Sequence, residues 1–438
     1  MADPEHDYDI IIVGGGMVGA AMACACLDRV LDRGDLEEAP RKGRDWRIAV
    51  IDGQPPQREW PAGEVDLRVS ALSRASQRIL QRLGAWERIE ALGASVYREM
   101  HVWDAVGGAS IHFDAADLGQ PDLGHIVENR VTRLALWELL EQAPQVDLLC
   151  PAQLDALVID DDRARVRLTD GRSLGAALVI GADGARSRVR EILGIDTGGW
   201  AYDQRAIVAN VEIGHWHRET AWQRFLPTGP LAFLPLADGR CSIVWSAEEH
   251  RAEELLAMDD ARFIAELEQA FQQRLGPVLS VGPRAAFPLR LQHALRYAAP
   301  RAALIGDAAH AIHPLAGQGV NLGFLDVAAM AEALEHARRK GRDIGNLATL
   351  RRYERARRGE NLIMLGAMDL FKRMFSNRNP PLVAGRNLGL AAAERIAPLK
   401  RVFMSQALGL GDELPPLARA AASPAPEPPG RHRAAAGG

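Results

Sequence analysis

Apolar and polar positions along the chain follow patterns that predict a mixed α/β protein. An apolar run from Tyr8 to Val13 leads into a glycine-rich turn and a helical stretch, Ala20 to Val30. A second apolar run, residues 47–51, ends at Asp52. Short apolar runs bounded by turns are typical of strands buried on both faces of a parallel sheet. The N-terminal part is therefore predicted to be a strand–turn–helix–strand unit.

The middle of the chain has the period-two alternation of antiparallel strands. Residues 99–113 and 154–168 are predicted hairpins, and 202–247 contains four strand-like runs separated by turn residues. These runs predict an antiparallel sheet. The other predicted elements are strands at 176–180 and 301–305, helices at 259–275 and 319–339, and further helical segments to about residue 410.

Composition and charge exclude several classes of protein. The chain has 438 residues, 47% hydrophobic and 25% charged, with a net charge of −5. This balance is typical of a globular protein and gives no indication of a nucleic-acid partner. The uncharged stretch Ile10–Leu27 has the length of a membrane span, but it follows an acidic segment and is interrupted by glycines. We therefore expect a cytoplasmic protein without a membrane span.

The charge is unevenly distributed. Between Arg338 and Arg401 there are sixteen Lys and Arg residues against five Asp and Glu, so that the segment 1–337 carries −16. The basic segment also contains an apolar helical face, including Met364, Met368 and Phe375. One interpretation is helices packed on the body with a solvated basic face. The other is a peripheral contact with an anionic membrane or with a partner protein.

A glycine-rich loop follows the first predicted strand. Gly14-x-Gly16-x-x-Gly19 opens the predicted helix, and Asp52 ends the second strand. In this pattern the first glycine allows a tight turn, the second lets a pyrophosphate approach, and the third permits close packing of helix and strand. The long spacing to Asp52 is explained by a polar insert at 31–46. The loop predicts dinucleotide binding but does not distinguish NAD from FAD.

Two later segments add candidate ligands. Asp183 and Gly184 follow the strand at 176–180, where the carboxylate is placed for a ribose or a neighbouring arginine, although a structural turn is equally compatible. Asp307 follows the strand at 301–305 and precedes Pro314-x-x-Gly-x-Gly and a helix, a loop suited to a flavin ring edge. His310 and His313 lie in this loop without a third ligand at metal spacing, so no metal site is predicted.

Together the three motifs resemble those of the group A flavoprotein monooxygenases of the p-hydroxybenzoate hydroxylase fold. Within them the chain is similar to the UbiH/UbiF/UbiI (VisC) family of ubiquinone-biosynthesis hydroxylases, and closest to the UbiI type, through segments such as 124–129, 231–236 and 350–355. The resemblance covers about residues 7–410. It implies an α/β fold with a Rossmann-like FAD-binding domain of the glutathione-reductase type and an inserted antiparallel β-sheet substrate domain.

The resemblance also implies domain limits. The FAD-binding domain is expected at 1–95, 116–198 and 293–345, and the substrate domain as a hairpin at 96–115 and a sheet with a helix at 199–292. A C-terminal helical segment is expected at 346–411. The last part, 412–438, is rich in Pro and Ala and is expected to be disordered.

The resemblance assigns cofactor contacts to residues spread over the whole chain. Their expected partners run from the ADP half of FAD to its isoalloxazine ring, and one motif also serves NAD(P)H. The ADP half is assigned to Gly14, Gly16, Gly19 and Asp52, the flavin contact to Arg68, the shared FAD and NAD(P)H motif to Asp183 and Gly184, the ribitol to Asp307, and the isoalloxazine to Pro314, Gly317, Gln318, Gly319 and Asn321.

The implied reaction is hydroxylation of a polyprenylphenol, at ring carbon C5 in the UbiI type, with NAD(P)H and O2 as co-substrates and a C4a-hydroperoxyflavin as oxidant. The alternatives are a flavin hydroxylase of a small soluble aromatic compound and a flavoprotein without enzymatic activity. The residues themselves indicate no catalytic acid or base. The expected partners are the prenylated substrate, the inner membrane or a biosynthetic complex contacted through the basic segment, and a second copy of the chain.

Overall fold

The structure is a computed structural model, and it describes residues 6–27, 45–311, 319–376, 379–396, 400–401, 404–405, 408–411 and 414–420. In chain order the strands are β1 (His6–Val13), β2 (Ile48–Ile51), β3 (Val69–Ser73), β4 (Ala94–Tyr97), β5 (Glu99–Asp104), β6 (Ser110–Asp114), β7 (Gly124–Glu128), β8 (Val146–Leu149), β9 (Leu154–Ile159), β10 (Ala164–Leu168), β11 (Ser173–Gly181), β12 (Thr197–Ile213), β13 (Thr220–Leu226), β14 (Gly229–Pro235), β15 (Cys241–Glu248), β16 (Val278–Val281), β17 (Ala285–Ala294), β18 (Ala298–Ala299), β19 (Ala302–Leu304) and β20 (His310–Ala311).

The α-helices are α1 (Met17–Ala25), α2 (Arg74–Leu83), α3 (Trp86–Gly93), α4 (Asn129–Glu141), α5 (Arg188–Ile192), α6 (Glu249–Ala257), α7 (Asp260–Phe271), α8 (Gly319–Arg339), α9 (Leu347–Ser376) and α10 (Pro380–Arg395). Short 3-10 helices occur at Ala115–Leu118, Gly306–Ala308 and Pro416–Ala418. No helix in the described part of the chain is long and apolar enough to cross a membrane.

The first sheet has a parallel core in the order β19-β11-β1-β2-β8. Ile10, Ile11 and Ile12 are fully buried, as expected for a strand covered on both faces. The strand ends are in register, because Val13 lies opposite both Ile51 and Gly181. Gly181 in turn lies opposite Leu304. The loops after β1, β2, β11 and β19 therefore meet at one edge of the sheet, where parallel α/β sheets bind ligands.

The second sheet has nine strands in the order β20-β17-β12-β15-β14-β13-β5-β6, with β16 also paired to β12. It is antiparallel except for the pair β13–β5. One face packs on α6 and α7 through Phe263, Leu267 and Phe271. The opposite face packs towards the small sheet β3-β7-β4 through Ala232 and Leu234. This sheet thus joins the hairpin at 99–114 to strands about a hundred residues further along the chain.

Most predicted elements are confirmed, and the differences follow from packing. The two predicted hairpins are β5–β6 and β9–β10, and helix 319–339 is α8. Strands β16 and β17 were not predicted, because their exposed and buried positions do not alternate cleanly. Helices α2, α3, α4 and α6 were not predicted either. Pro416–Ala418 is a helical turn with Leu417 and Ala418 buried, whereas disorder was expected from 412; residues 421–438 lie outside the described part. The domain limits stay a prediction.

The basic segment is largely paired with the acidic body. Arg386 is fully buried and forms a bidentate ion pair with Asp104, and it also donates to the carbonyl of Met374 at the end of α9. Arg357 is buried against Asp326 at 3.0 Å, and Lys400 lies 3.0 Å from Asp117. Much of the local excess of positive charge therefore compensates acidic residues from earlier parts of the chain.

Candidate functional site

The glycines of the first loop meet three different steric requirements. Gly14 has φ +104°, and a Cβ there would lie 2.4 Å from the carbonyl oxygen of Ala182. A Cβ on Gly19 would lie 1.8 Å from the carbonyl oxygen of Gly14. A Cβ on Gly16, at the N-cap of α1, would meet nothing within 4 Å. The tight turn and the close packing are thus both present, and open space lies where the pattern places a pyrophosphate.

Asp52 is held beside this loop. Its carboxylate accepts hydrogen bonds from the backbone N–H groups of Gly15 at 2.6 Å and Gln54 at 2.9 Å. Two residues of α4 complete the arrangement: Trp137 Nε1 and Arg133 Nε both donate to the carbonyl oxygen of Gly15, at 2.7 and 2.9 Å. Arg133 also lies 3.3 Å from the Asp52 carboxylate. Sequence reasoning missed Arg133 and Trp137, since nothing local in α4 indicates that it packs on this loop.

The second motif is built around Asp183. One carboxylate oxygen, Oδ2, accepts from the backbone N–H groups of Arg188 and Val189 and so caps α5. The other, Oδ1, is buried and has no hydrogen-bond partner among the described residues. Gly184 follows with φ +80° and open space around it. Asp183 therefore has a structural role in the turn through Oδ2, and its Oδ1 remains available to accept a hydrogen bond from a ligand.

Arg190 connects the second motif to the third. Its guanidinium is buried and donates to the carbonyl oxygens of Ala185 at 2.7 Å and Ala308 at 2.8 Å. Ala185 belongs to the loop of Asp183, and Ala308 adjoins Asp307. Burial lowers the pKa of Arg190, and Asp183 opposes that shift. This residue was also missed, because a basic residue in a short helix carries no sequence signal for such a bridge.

We expect Arg190→Met to weaken FAD binding about tenfold, because the two loops lose their common donor while the hydrophobic stem remains. The measurement is flavin fluorescence during titration of the apoprotein with FAD. Arg188→Met is the matched control, since Arg188 sits on the same helix and its half-exposed side chain pairs with Glu191 at the surface. Equal affinities for the two variants would contradict the bridging role.

Asp307 lies in the short helix after β19 and is exposed. Desolvation of the carboxyl by the surrounding protein raises the pKa of Asp307, while the charges of His310 and Arg68 lower it. Gly306, with φ +57°, forms the turn before it, and its N–H donates to the buried carboxylate of Asp326 at 3.0 Å. Helix α8 therefore holds the loop through Asp326, and Asp307 is exposed at the open edge of the first sheet.

Arg68 lies near residues of both large sheets. It is exposed, its guanidinium lies 5.6 Å from the ring centroid of Phe287 on β17, and it is near enough to Asp307 to lower the pKa of that carboxyl. Arg130 has a different environment. It is buried against Glu64 and Glu128 and stacks on Trp60 at 4.3 Å. A cofactor role was not assigned to Arg130, and its structural partners account for it.

The predicted flavin loop is only partly described. Gly319 begins α8, and Asn321 is buried within its first turn. The Asn321 amide donates to the carbonyl oxygen of Ala71 and accepts from the N–H of Ser73 and the hydroxyl of Ser76, so it ties α8 to β3 and α2. The side chain of Asn321 therefore has a structural role in joining these elements. Pro314, Gly317, Gln318 and His313 lie outside the described residues.

The predicted ligands converge. Gly14, Gly16, Gly19, Asp52, Asp183 and Asp307 come from separate segments, yet all follow the aligned ends of β1, β2, β11 and β19. The arrangement offers a helix N-terminus for phosphates, carboxylates for sugar hydroxyls and an arginine at the border of the second sheet. It is suited to an extended dinucleotide.

Comparison with known proteins agrees with this geometry. A protein family described as FAD binding domain matches residues 56–364. The chain is 42% identical to the 3-demethoxyubiquinol 3-hydroxylase of Escherichia coli, covering 92% of this chain and 98% of that one. It is also 42% identical to the ubiquinone hydroxylase UbiL of Rhodospirillum rubrum, covering 94% and 92%. The crystal structure of p-nitrophenol 4-monooxygenase from Pseudomonas putida superposes with a TM-score of 0.72 at 21% identity, covering 92% and 98%, which shows the shared fold.

Proposed function

The chain belongs to the family of FAD-dependent monooxygenases that contains these ubiquinone hydroxylases, and on this premise we propose that it hydroxylates a polyprenylated phenol in ubiquinone biosynthesis. The full-length relationship to enzymes named for ubiquinone intermediates carries the proposal. A small soluble aromatic substrate is not favoured, since the relative named for one shares only the fold. The ring carbon that we propose is C5 of the polyprenylphenol. The name of the E. coli relative refers to position 3, in the numbering of that enzyme's own substrate.

We propose that the residues at the sheet edge hold FAD. Gly16 and the N-terminus of α1 would face the pyrophosphate, and Asp52 would hold the adenosine ribose, for which its carboxylate retains acceptor capacity. The unpartnered oxygen of Asp183 and the carboxyl of the surface residue Asp307 would serve the remaining polar groups. The predicted contacts of Pro314, Gly317, Gln318 and Gly319 are part of the same proposal.

When bound, FAD supplies the transfer of electrons from NAD(P)H to O2. The chain's own contribution is to orient the phenol and to keep water away. The region where the second sheet packs on the small sheet is apolar, with Tyr97, Ile126 and Leu234 buried, and it would help to keep water away from the reacting ring. Arg68 adds a positive charge at the border of this region.

The decisive experiment follows the oxygen. The FAD-loaded protein is incubated with NAD(P)H, ¹⁸O2 and either a prenylated phenol or 4-hydroxybenzoate. We expect one ¹⁸O atom in the ring of the prenylated compound, with NAD(P)H oxidised in a one-to-one ratio to product. Release of hydrogen peroxide without product from both compounds, or faster hydroxylation of 4-hydroxybenzoate, would contradict the proposal.

We further propose that the side formed by α9 and α10 contacts an anionic membrane, from which a prenylated substrate would be taken. Ile363 is 75% exposed, Leu370 58% and Leu388 73%, which is unusual for large apolar side chains. Arg351 and Arg355 are exposed on the same helix. An apolar face flanked by arginines is typical of interfacial binding. Arg357 does not take part, because it is buried.

Co-sedimentation with vesicles containing phosphatidylglycerol tests this contact. The double variant Ile363→Asp/Leu370→Asp should reduce binding at least about tenfold, since two apolar contacts are lost and two negative charges repel the lipid. Val158→Asp/Leu279→Asp is the matched control, because those two residues are also large, apolar and exposed but lie on strands β9 and β16. Binding that is unchanged in the first variant, or directed to a partner protein but not to vesicles, would refute the membrane contact.

A further inference from the structure

One face of the hairpin β5–β6 carries a cluster of metal-ligating side chains. Glu99 and His101 on β5 lie opposite Asp114 and His112 on β6, so the four residues form two cross-strand pairs. The period-two pattern Glu-x-His and His-x-Asp places them on the same side of the hairpin. No metal site was predicted from the sequence, because the two histidines near Asp307 lack a third ligand and the present set is divided between two strands.

The ligand atoms already converge. His112 Nε2 lies 2.9 Å and His101 Nε2 3.6 Å from the same oxygen of Glu99. The donor atoms of these three residues all lie within 4.8 Å of one another. Ligands of one tetrahedral zinc ion are about 3.3 Å apart, given metal–ligand distances of about 2.0 Å. Small side-chain movements are therefore enough to bring all three atoms to one ion.

The two imidazoles are held in position by stacking. The rings of His101 and His112 are stacked with centroids 4.0 Å apart, and His101 stacks on Trp222 at 4.5 Å on its other side. Each of the three ligand side chains remains about one third exposed, so an ion can reach them.

The cluster lies away from the proposed flavin site. Trp103, two residues beyond His101 on the same face, packs on Phe271 of α7, on the helix-covered side of the second sheet. Strand β6 is the edge of that sheet and contacts α10, where the N–H of His112 donates to Glu394 at 2.9 Å. An ion here would fix the edge hairpin rather than take part in oxygen chemistry.

We propose that Glu99, His101 and His112 bind one divalent zinc ion, with Asp114 or water as the fourth ligand, and that this ion stabilises the edge of the second sheet. Two imidazoles and a carboxylate form a typical zinc ligand set.

Calorimetric titration of the chelator-treated, FAD-loaded protein with ZnCl2 tests the proposal. We expect one zinc ion per chain, a raised thermal midpoint, and zinc-edge X-ray absorption showing two imidazoles and one carboxylate. His112→Asn should weaken binding at least about thirtyfold, and His101→Phe, which keeps an aromatic ring between His112 and Trp222, should do the same.

The control is His250→Asn. His250 pairs with Glu254 at 3.2 Å on an exposed helix and thus offers two ligand atoms without a third. Its loss should leave zinc affinity unchanged. If His112→Asn fails to fold, Glu99→Gln provides the same test with less change in shape. Zinc binding below one ion per chain, or equal loss in the His250→Asn and His112→Asn variants, would overturn the proposal.

Discussion

Replacing Gly16 by valine should leave the protein folded and lower its affinity for FAD by at least about a hundredfold. Gly16 has φ −69° and ψ −176°, an extended conformation that any residue can adopt. A Cβ there meets no protein atom within 4 Å. The added side chain therefore costs the fold little, but it occupies the space in which a pyrophosphate approaches the N-terminus of α1.

The measurement separates binding from stability. FAD affinity is obtained from flavin fluorescence, and the thermal midpoint is recorded for the apoprotein. Gly14→Val should lower both the FAD affinity and the thermal midpoint, because residue 14 has a positive φ and its Cβ would collide with the carbonyl of Ala182. Gly359→Val is the neutral control, since Gly359 lies in α9 with open space around it. If Gly16→Val bound FAD as tightly as the wild type, the cofactor would not lie on this loop.

The contrast between these glycines shows what the sequence could predict. The spacing of Gly14, Gly16 and Gly19 after an apolar strand determines a local geometry, and the structure has that geometry. Apolar runs likewise located β1, β2, β11 and β19, and from their parallel order follows the meeting of Asp52, Asp183 and Asp307. These predictions succeed because each depends on a few consecutive residues.

What could not be predicted depends on contacts between distant segments. Trp137 and Arg133 support the first loop from more than a hundred residues away. The local charge count likewise indicated a free basic surface, whereas Arg357 and Arg386 are buried against Asp326 and Asp104. Counting charges along the chain gives no information on pairing across the fold. The exposure of apolar residues on α9 could not be predicted either, because helical periodicity alone does not show which face of a helix is covered.

The strongest effect on stability is expected from Asp326→Ala, which should lower the free energy of unfolding by about 3–5 kcal/mol. Asp326 is fully buried on α8. It accepts from Gly306 N–H at 3.0 Å, His310 at 2.5 Å, Arg357 at 3.0 Å and Asn361 at 3.2 Å. Its removal leaves the buried Arg357 guanidinium without this carboxylate and releases the turn that presents Asp307. FAD binding should weaken as well.

Urea unfolding at neutral pH measures the loss, and Glu138→Ala is the control. Glu138 forms a bidentate pair with Arg88, but both side chains are partly exposed. Ion pairs of that kind contribute about 0.2–1 kcal/mol, so the control should remain near the wild type. A loss for Asp326→Ala no larger than that of the control would mean that the buried network does not stabilise the fold.

The pH dependence of this loss identifies the charge as its cause. Burial would raise the pKa of Asp326, but His310 and Arg357 outweigh it and hold the pKa below its ordinary value. A carboxyl with a lower pKa in the folded state stabilises the protein above its unfolded pKa of about 3.9, and this contribution is lost as the pH falls through the folded value. The difference in unfolding free energy between wild type and Asp326→Ala should therefore be present at neutral pH and shrink below about pH 4. A difference that did not change with acid would assign the effect to lost packing alone, because a neutral cavity does not titrate.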